Sequence, residues 1–125
     1  MNSLKLNVDQ NELYTLNNFI EKIIKKKDVQ VDLIIEEIFI NIVNYSNSDF
    51  IIVNTDFKDS ILTLEFIDNG IQFNPLLKED PNISDNIDDA QIGGLGIFLT
   101  KEMADEIDYH YINGENHLRI IKKVE

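Results

Sequence analysis

A carboxylate and two amides interrupt an otherwise apolar helical segment of this 125-residue chain. Glu37, Asn41 and Asn44 lie within the stretch EEIFINIVNYS, residues 36–46. At about 100° per residue they fall within about 60° of one another, roughly opposite the apolar arc of the helix. Such a stripe is either the solvent face of an amphipathic helix or a half-buried site. In a site, the carboxylate could act as a general base, and an amide oxygen could ligate a hard cation such as Mg²⁺.

A second polar group follows a predicted strand, in the stretch IDNGIQFNP, residues 67–75. Asp68 closes the strand and can present its carboxylate outward while the chain turns away. Gly70 would give a ligand close access to the backbone. The same residues also suit an ordinary strand-ending turn, so this stretch alone leaves both interpretations open.

Glycines mark the third candidate, the stretch IGGLGIFLTKEMAD at residues 92–105. Glycines at the start of a helix expose backbone N–H groups toward an anion, with the positive end of the helix dipole behind them. The stretch is not a P-loop, because no Gly-Lys-Ser/Thr follows. It is not a dinucleotide-binding fingerprint either, because an acidic loop precedes it rather than a strand. A plain loop-to-helix joint remains the alternative.

The other polar candidates are weaker. His110 and His117 lie in a predicted hairpin without a second ligand at metal-binding spacing, so we expect ordinary strand positions. Arg119, the lone arginine, is expected to be a surface charge. The chain has no cysteine, which excludes disulfides and thiolate metal sites.

Composition limits the class of partner. The net charge of -12 makes the chain a poor electrostatic match for nucleic acid or an anionic membrane. No apolar run approaches the roughly 20 residues of a membrane span, and the N-terminal stretch does not resemble a signal peptide. We therefore expect a cytoplasmic protein that forms a single domain over residues 1–125 and binds soluble proteins or small ligands.

Hydrophobic periodicity and turn residues predict the order strand, two helices, hairpin, acidic loop, helix, hairpin. Asp9 is the expected N-cap of the first helix, and Asn113-Gly114 is the expected turn of the last hairpin. Because helices do not alternate singly with strands, we expect an α+β two-layer sandwich, with helices on one face of a mixed, mostly antiparallel sheet. The expected bounds are 3–8, 10–26, 31–46, 50–57, 60–68, 93–106, 107–112 and 116–124, with the loop at 76–91.

Taken in order, the three motifs resemble those of the GHKL ATPase superfamily, the group of the gyrase, Hsp90 and histidine-kinase ATP-binding domains. The resemblance is strongest to its branch of anti-sigma-factor serine-protein kinases. In that branch EEIFINIVNY, FIDNGIQFNP and GGLGIFLTKEMADEIDY look like the N, G1 and G2 boxes. It extends over almost the whole chain, including its closing NGENHLRIIKK.

The resemblance implies ATP and Mg²⁺ as cofactors and assigns roles at the matching positions. Asn41 would hold the Mg²⁺ that bridges the ATP phosphates, and Glu37 would activate the attacking hydroxyl. Asp68 would accept a hydrogen bond from the adenine amino group, and Gly70 would admit the base. The run Gly94, Leu95 and Gly96 would bind nucleotide, its glycines letting the loop close over the phosphates. Residues 76–91 would form the ATP lid.

The function implied by this resemblance is that of a serine/threonine-protein kinase. It would phosphorylate a STAS-type antagonist, sequester a sigma factor or similar regulator, and form a homodimer. An ATP-gated protein-binding module without significant transfer is the alternative. A histidine-kinase ATPase domain is a third possibility, which Glu37 disfavours because such domains usually lack a glutamate at that place.

Overall fold

The computed structural model describes residues 1–77 and 100–124. Two helices and five strands follow one another, and single 3-10 turns lie at Gln10–Glu12 and Pro75–Leu77. Their bounds are β1 Asn2–Leu6, α1 Leu13–Ile24, α2 Val29–Tyr45, β2 Ile51–Lys58, β3 Ile61–Asp68, β4 Glu106–Ile112 and β5 Glu115–Lys123. Residues 100–103 are also helical, so the third predicted helix ends about three residues earlier than expected. The predicted start of that helix lies outside the described residues.

The five strands form one sheet in the order β1-β2-β3-β5-β4. Each neighbouring pair of these strands runs antiparallel, which confirms the expected α+β fold with a mostly antiparallel sheet; no parallel pair occurs among the described strands. β1 lies at one edge of the sheet and pairs with β2. Because β5 inserts between β3 and β4, the ends of β3 and β5 meet, with Asp68 paired to Asn116.

The hairpin turns follow from residues that tolerate a positive φ. Asn113 and Gly114, with φ of 53° and 78°, connect β4 to β5 at the predicted place. The β2–β3 turn uses Asp59 and Ser60, with φ of 53° and 65°. The predicted strand bounds 50–57 and 60–68 placed this turn at residues 58–59, so the prediction was wrong by one residue. Two-residue turns with both φ positive match the twist of the flanking strands, which fixes the register of each hairpin.

Aspartates fix the starts of both helical segments. The Asp9 side chain accepts a hydrogen bond from the backbone N–H of Asn11, so it caps the 3-10 turn that leads into α1. Asp28 accepts one from the N–H of Val31 at 3.0 Å and caps α2, which therefore begins two residues before its predicted start. At the other end of α1, Lys25 adopts a left-handed conformation and ends the helix.

The core lies between the helices and one face of the sheet. Alternate residues of each strand point to that face, because side chains of a strand alternate between faces. The alternation in β3 places Asp68 on the same face as Leu64 and Phe66, and hence among the helix-facing side chains. The largest fully buried side chains are Leu16, Ile20, Ile34, Ile35, Ile38, Phe39, Ile51, Leu62, Leu64, Phe66 and Ile120.

Within residues 1–77 and 100–124, no helix combines the length and the apolar character needed to cross a membrane.

Candidate functional site

A pocket opens between the C-terminal half of α2 and the ends of β3 and β5, and encloses about 120 Å³. Its walls are mostly apolar and include Ile38, Phe66 and Leu118. Tyr45 and Phe73 stand at its exposed rim. A small apolar slot with aromatic walls suits a flat ring, and a few polar groups inside it would set the orientation of that ring.

Asp68 is the buried acidic group of this pocket, with 4% of its surface exposed. Its Oδ1 accepts two hydrogen bonds, from the backbone N–H of Gly70 at 2.9 Å and from Asn116 Nδ2 at 3.1 Å. Burial raises the pKa of the Asp68 carboxyl, and these two donors partly offset the rise. Within the described part of the chain Oδ2 receives no hydrogen bond, which leaves this oxygen to accept one from a ligand.

Asn116 organises the hydrogen bonds around Asp68. Its Oδ1 accepts from the backbone N–H of Phe73 at 3.1 Å and from the hydroxyl of Tyr109. Its Nδ2 donates to Asp68 and to the carbonyl oxygen of Ile71 at 2.9 Å. This one side chain therefore joins β4, β5, the end of β3 and the segment that follows it. Burial of the Tyr109 ring raises the pKa of its hydroxyl, which keeps that group a donor at neutral pH.

Gly70 packs against the end of α2. A Cβ at this position would lie 2.1 Å from the carbonyl oxygen of Ser46. The next residue, Ile71, donates its N–H to the same oxygen at 2.7 Å. The turn after β3 thus needs glycine for its approach to the helix, a reason independent of any ligand. The role of Gly70 in admitting a base stays a prediction. So does the role of Asp68 in accepting a hydrogen bond from the adenine amino group.

The polar stripe of α2 divides by burial. Glu37 and Asn41 are half-buried, whereas Asn44 and Glu36 are exposed. Asn41 lines the pocket. Burial, and next the neighbouring charge of Glu36, raises the pKa of the Glu37 carboxyl, as suits a group that must accept a proton. The structure therefore favours a half-buried site over a plain solvent face at these two positions.

The predicted glycine motif, with Gly94, Leu95 and Gly96, lies outside the described residues, as does the lid after residue 77. Their roles stay predictions. Among the described residues no cluster of three or more His, Cys, Asp or Glu could hold a metal ion.

The histidines and the arginine lie on the sheet face opposite the helices. His117 is 3.6 Å from Glu115 and 3.8 Å from Glu65, and Arg119 is 3.8 Å from Asp108. His110 and His117 pair across β4 and β5. These are ordinary strand positions, as the sequence predicted.

Sequence reasoning missed three groups of the pocket, namely Asn116, Tyr109 and the rim residue Phe73. Asn116 carried a usable signal, because an Asn beginning an apolar alternation in a strand after a tight turn falls on the buried face. Tyr109 carried none, since its role depends on which strand lies beside β4.

A helix stripe above an antiparallel sheet and a buried carboxylate in an apolar slot are the features expected of a nucleotide-binding domain of the histidine-kinase type. The chain belongs to the family described as histidine kinase-like ATPase domain, which it matches over residues 10–122. ATP is the nucleotide that this family membership implies.

The chain is similar to one known protein in fold and to another in sequence. The fold resembles the histidine kinase AdeS of Acinetobacter baumannii, with a TM-score of 0.55 and 12% identity over 100% of this chain and 68% of that one. In sequence, the chain is 32% identical over 59 residues to the serine/threonine-protein kinase BtrW of Bordetella bronchiseptica. That match spans 47% of this chain and 42% of BtrW.

Proposed function

We propose that the protein is a Mg²⁺- and ATP-dependent serine/threonine kinase of the anti-sigma-factor type. The observation that carries the proposal is the buried Asp68, which offers an acceptor oxygen inside an apolar pocket beside a helix bearing Asn41 and Glu37. The sequence similarity to a serine/threonine-protein kinase supports the same reaction class.

The order of residues along α2 suits a nucleotide laid beside the helix. Tyr45 and Asn41 line the pocket that holds Asp68. Glu37 lies one further turn toward the N-terminus of α2, about 5–6 Å along the axis. A base in the pocket would therefore place its phosphates past Asn41 and toward Glu37. We propose that residues 94–96, which carry the glycine motif, bind those phosphates.

The residues of the Asp68 pocket suit the adenine base of ATP, and those of α2 suit its Mg²⁺-bound phosphates. Asn41 supplies the amide oxygen that a hard cation accepts, and Mg²⁺ bound there would neutralise phosphate charge during transfer. Water and the phosphates would complete its coordination, as is usual for Mg²⁺.

Glu37 is the proposed general base. The oxygen of a serine hydroxyl forms a bond to the γ-phosphorus, while the bond between that phosphorus and the bridging oxygen to the β-phosphate breaks and ADP leaves. The hydroxyl proton passes to the Glu37 carboxylate. A raised pKa makes this carboxylate a stronger base than an exposed glutamate, provided that it stays ionised at the working pH.

Glu37→Gln tests this assignment, with Glu36→Gln as its matched control on the exposed side of the same helix. ATP binding is measured by titration calorimetry, and transfer from γ-labelled ATP to a recombinant STAS-type protein by autoradiography. We expect both variants to bind ATP like the wild type, and transfer to fall about 100-fold or more in Glu37→Gln alone. Unchanged transfer by Glu37→Gln would remove Glu37 from the mechanism.

The protein partners are the finer part of the proposal. A STAS-type antagonist would be the phosphate acceptor, and the unengaged kinase would bind a sigma factor or similar regulator as a homodimer. An ATP-gated binding module is the competing function. Pull-downs with and without ATP, read by mass spectrometry, distinguish the two when combined with the transfer assay: capture without transfer to any captured protein would favour the binding module.

A further inference from the structure

The hydrogen bonds of Asn116 have a consequence for the choice of nucleotide. We propose that Asn116, held by Tyr109, is a positioning residue that makes Asp68 an obligate acceptor, so that the pocket selects bases with an exocyclic amino group over bases with a carbonyl there. This inference rests on the proposed nucleotide-binding function of the same pocket.

The orientation of the Asn116 amide is decided by its partners. The backbone N–H of Phe73 can only donate, and it lies 3.1 Å from Oδ1. The hydroxyl of Tyr109 donates to the same oxygen. A flipped amide would place its NH₂ group against the Phe73 N–H, so that two donors would face each other. It would also place its carbonyl oxygen against two acceptors, Asp68 Oδ1 and the Ile71 carbonyl oxygen. The Nδ2 group must therefore point at Asp68 and the Ile71 carbonyl, as observed.

The orientation of Asn116 in turn determines what Asp68 can do. Two N–H donors, from Asn116 and Gly70, occupy Oδ1, so a proton is disfavoured on that oxygen. Both donors also favour the ionised carboxylate. Oδ2 then meets a ligand as an acceptor. It would bind the amino group of adenine, and would repel the carbonyl oxygen that guanine presents at the corresponding position, because two acceptors would face each other in a buried site.

Tyr109 links this arrangement to β4. Its hydroxyl is the side-chain donor that holds Asn116 Oδ1, while its ring lines the pocket. Tyr109→Phe removes the hydroxyl and keeps the ring, so it loosens the amide with little change in packing. Tyr111→Phe is the matched control, because this tyrosine lies two residues along on the same face and its side chain is exposed.

The experiment measures the dissociation constants of Mg-ATP and Mg-GTP by calorimetry for the wild type and each variant, with thermal unfolding as a check on folding. The wild type should prefer ATP. Tyr109→Phe should lower the ATP-to-GTP preference by about tenfold, the effect of one lost hydrogen bond, and Tyr111→Phe should leave it unchanged. Equal weakening of both nucleotides by Tyr109→Phe would show a merely structural role and overturn the inference.

A second variant, Asn116→Asp, supplies a pH readout. It places a carboxyl oxygen against Asp68 Oδ1, and the two acidic groups would bind ATP well only while they share a proton. We expect its ATP affinity to recover about tenfold between about pH 8 and about pH 5.5, a change the wild type lacks. Glu115, His117 and Tyr109 also act on Asp68, but the wild type shares them and so controls for them.

The outcomes separate the inference from the proposed function. ATP binding by the wild type, with an unaltered preference in Tyr109→Phe and no pH-dependent recovery in Asn116→Asp, overturns only the role of Asn116. A wild type that binds neither nucleotide at millimolar concentration overturns the proposed function, and the inference falls with it.

Discussion

Gly70 is the position where the turn after β3 touches the end of α2, and its replacement by alanine should be costly. The new Cβ would lie 2.1 Å from the carbonyl oxygen, 2.7 Å from the carbonyl carbon and 2.8 Å from the Cβ of Ser46. Ser46 has little room to move, because its N–H and hydroxyl both donate to the carbonyl of Ile42, at 3.0 and 2.7 Å.

The magnitude follows from three contributions. Overpacking against a fixed backbone costs about 3 kcal/mol, the upper part of the usual range. Displacing Ser46 weakens the 2.7 Å hydrogen bond from the Ile71 N–H, worth about 1 kcal/mol. Gly70 has no positive φ, so alanine meets no dihedral penalty and recovers about 0.4–1 kcal/mol through the unfolded state. The free energy of unfolding should therefore fall by about 3 kcal/mol, and Tm by about 12 °C for a chain of this length.

Urea unfolding followed by circular dichroism, without nucleotide, measures this loss. Gly114→Ala is the control, because Gly114 has φ of 78° and open space around its missing Cβ. It should lose only about 1 kcal/mol, through backbone strain. If Gly70→Ala were as stable as the wild type but failed to bind ATP, the glycine would serve the ligand and the packing argument would be refuted.

Two further predictions concern aspartates. Asp68→Asn keeps an oxygen for the Asn116 and Gly70 donors and removes a buried charge. Burial raises the pKa of Asp68 in the folded state, so its ionised form lowers stability above that pKa and the loss disappears as the pH falls through it. Urea unfolding should show the variant to be more stable at pH 7, with the advantage vanishing toward about pH 4; a constant difference would contradict this. Asp28→Ala should cost about 1 kcal/mol in the same assay by removing the α2 cap, and no loss would show that water replaces it.

Local sequence signals predicted the elements well, because each depends on neighbours along the chain. Asn113-Gly114 and Asp9 carry their own turn and cap chemistry, and both act where predicted. The misplaced α2 start has an equally local cause: Asp28, in the stretch KKDVQVD, is the cap residue that was overlooked. The β2–β3 turn shifted because Lys58 pairs with Ile61, so β2 ends one residue later and β3 begins one residue later than predicted.

The pocket was only partly predictable, because its groups meet through pairing between distant strands. Asp68 and Asn116 are 48 residues apart, and they become partners only when β5 inserts beside β3. The alternating patterns of both strands are compatible with several strand orders, so the sequence could identify Asp68 by motif but could not supply its partner. The burial that separates Glu37 from Glu36 was predictable, since helical geometry places them on different sides of α2.

The packing of Gly70 against Ser46 also sets a distance that the proposed reaction needs. Asp68 lies two residues before Gly70 on the turn, and Asn41 lies just over one helical turn before Ser46 on α2. The contact therefore fixes the separation between Asp68, which would bind the base, and Asn41, which would hold the metal.

If Gly70→Ala retains its fold at low temperature, the displaced helix end should still weaken ATP binding by moving Asn41 away from Asp68. Gly114→Ala, whose site is in the β4–β5 turn, should bind ATP as the wild type does, and calorimetry on the two folded variants tests the difference. Equal affinities would show that the base and metal positions tolerate movement of α2, and that their spacing is set elsewhere in the fold.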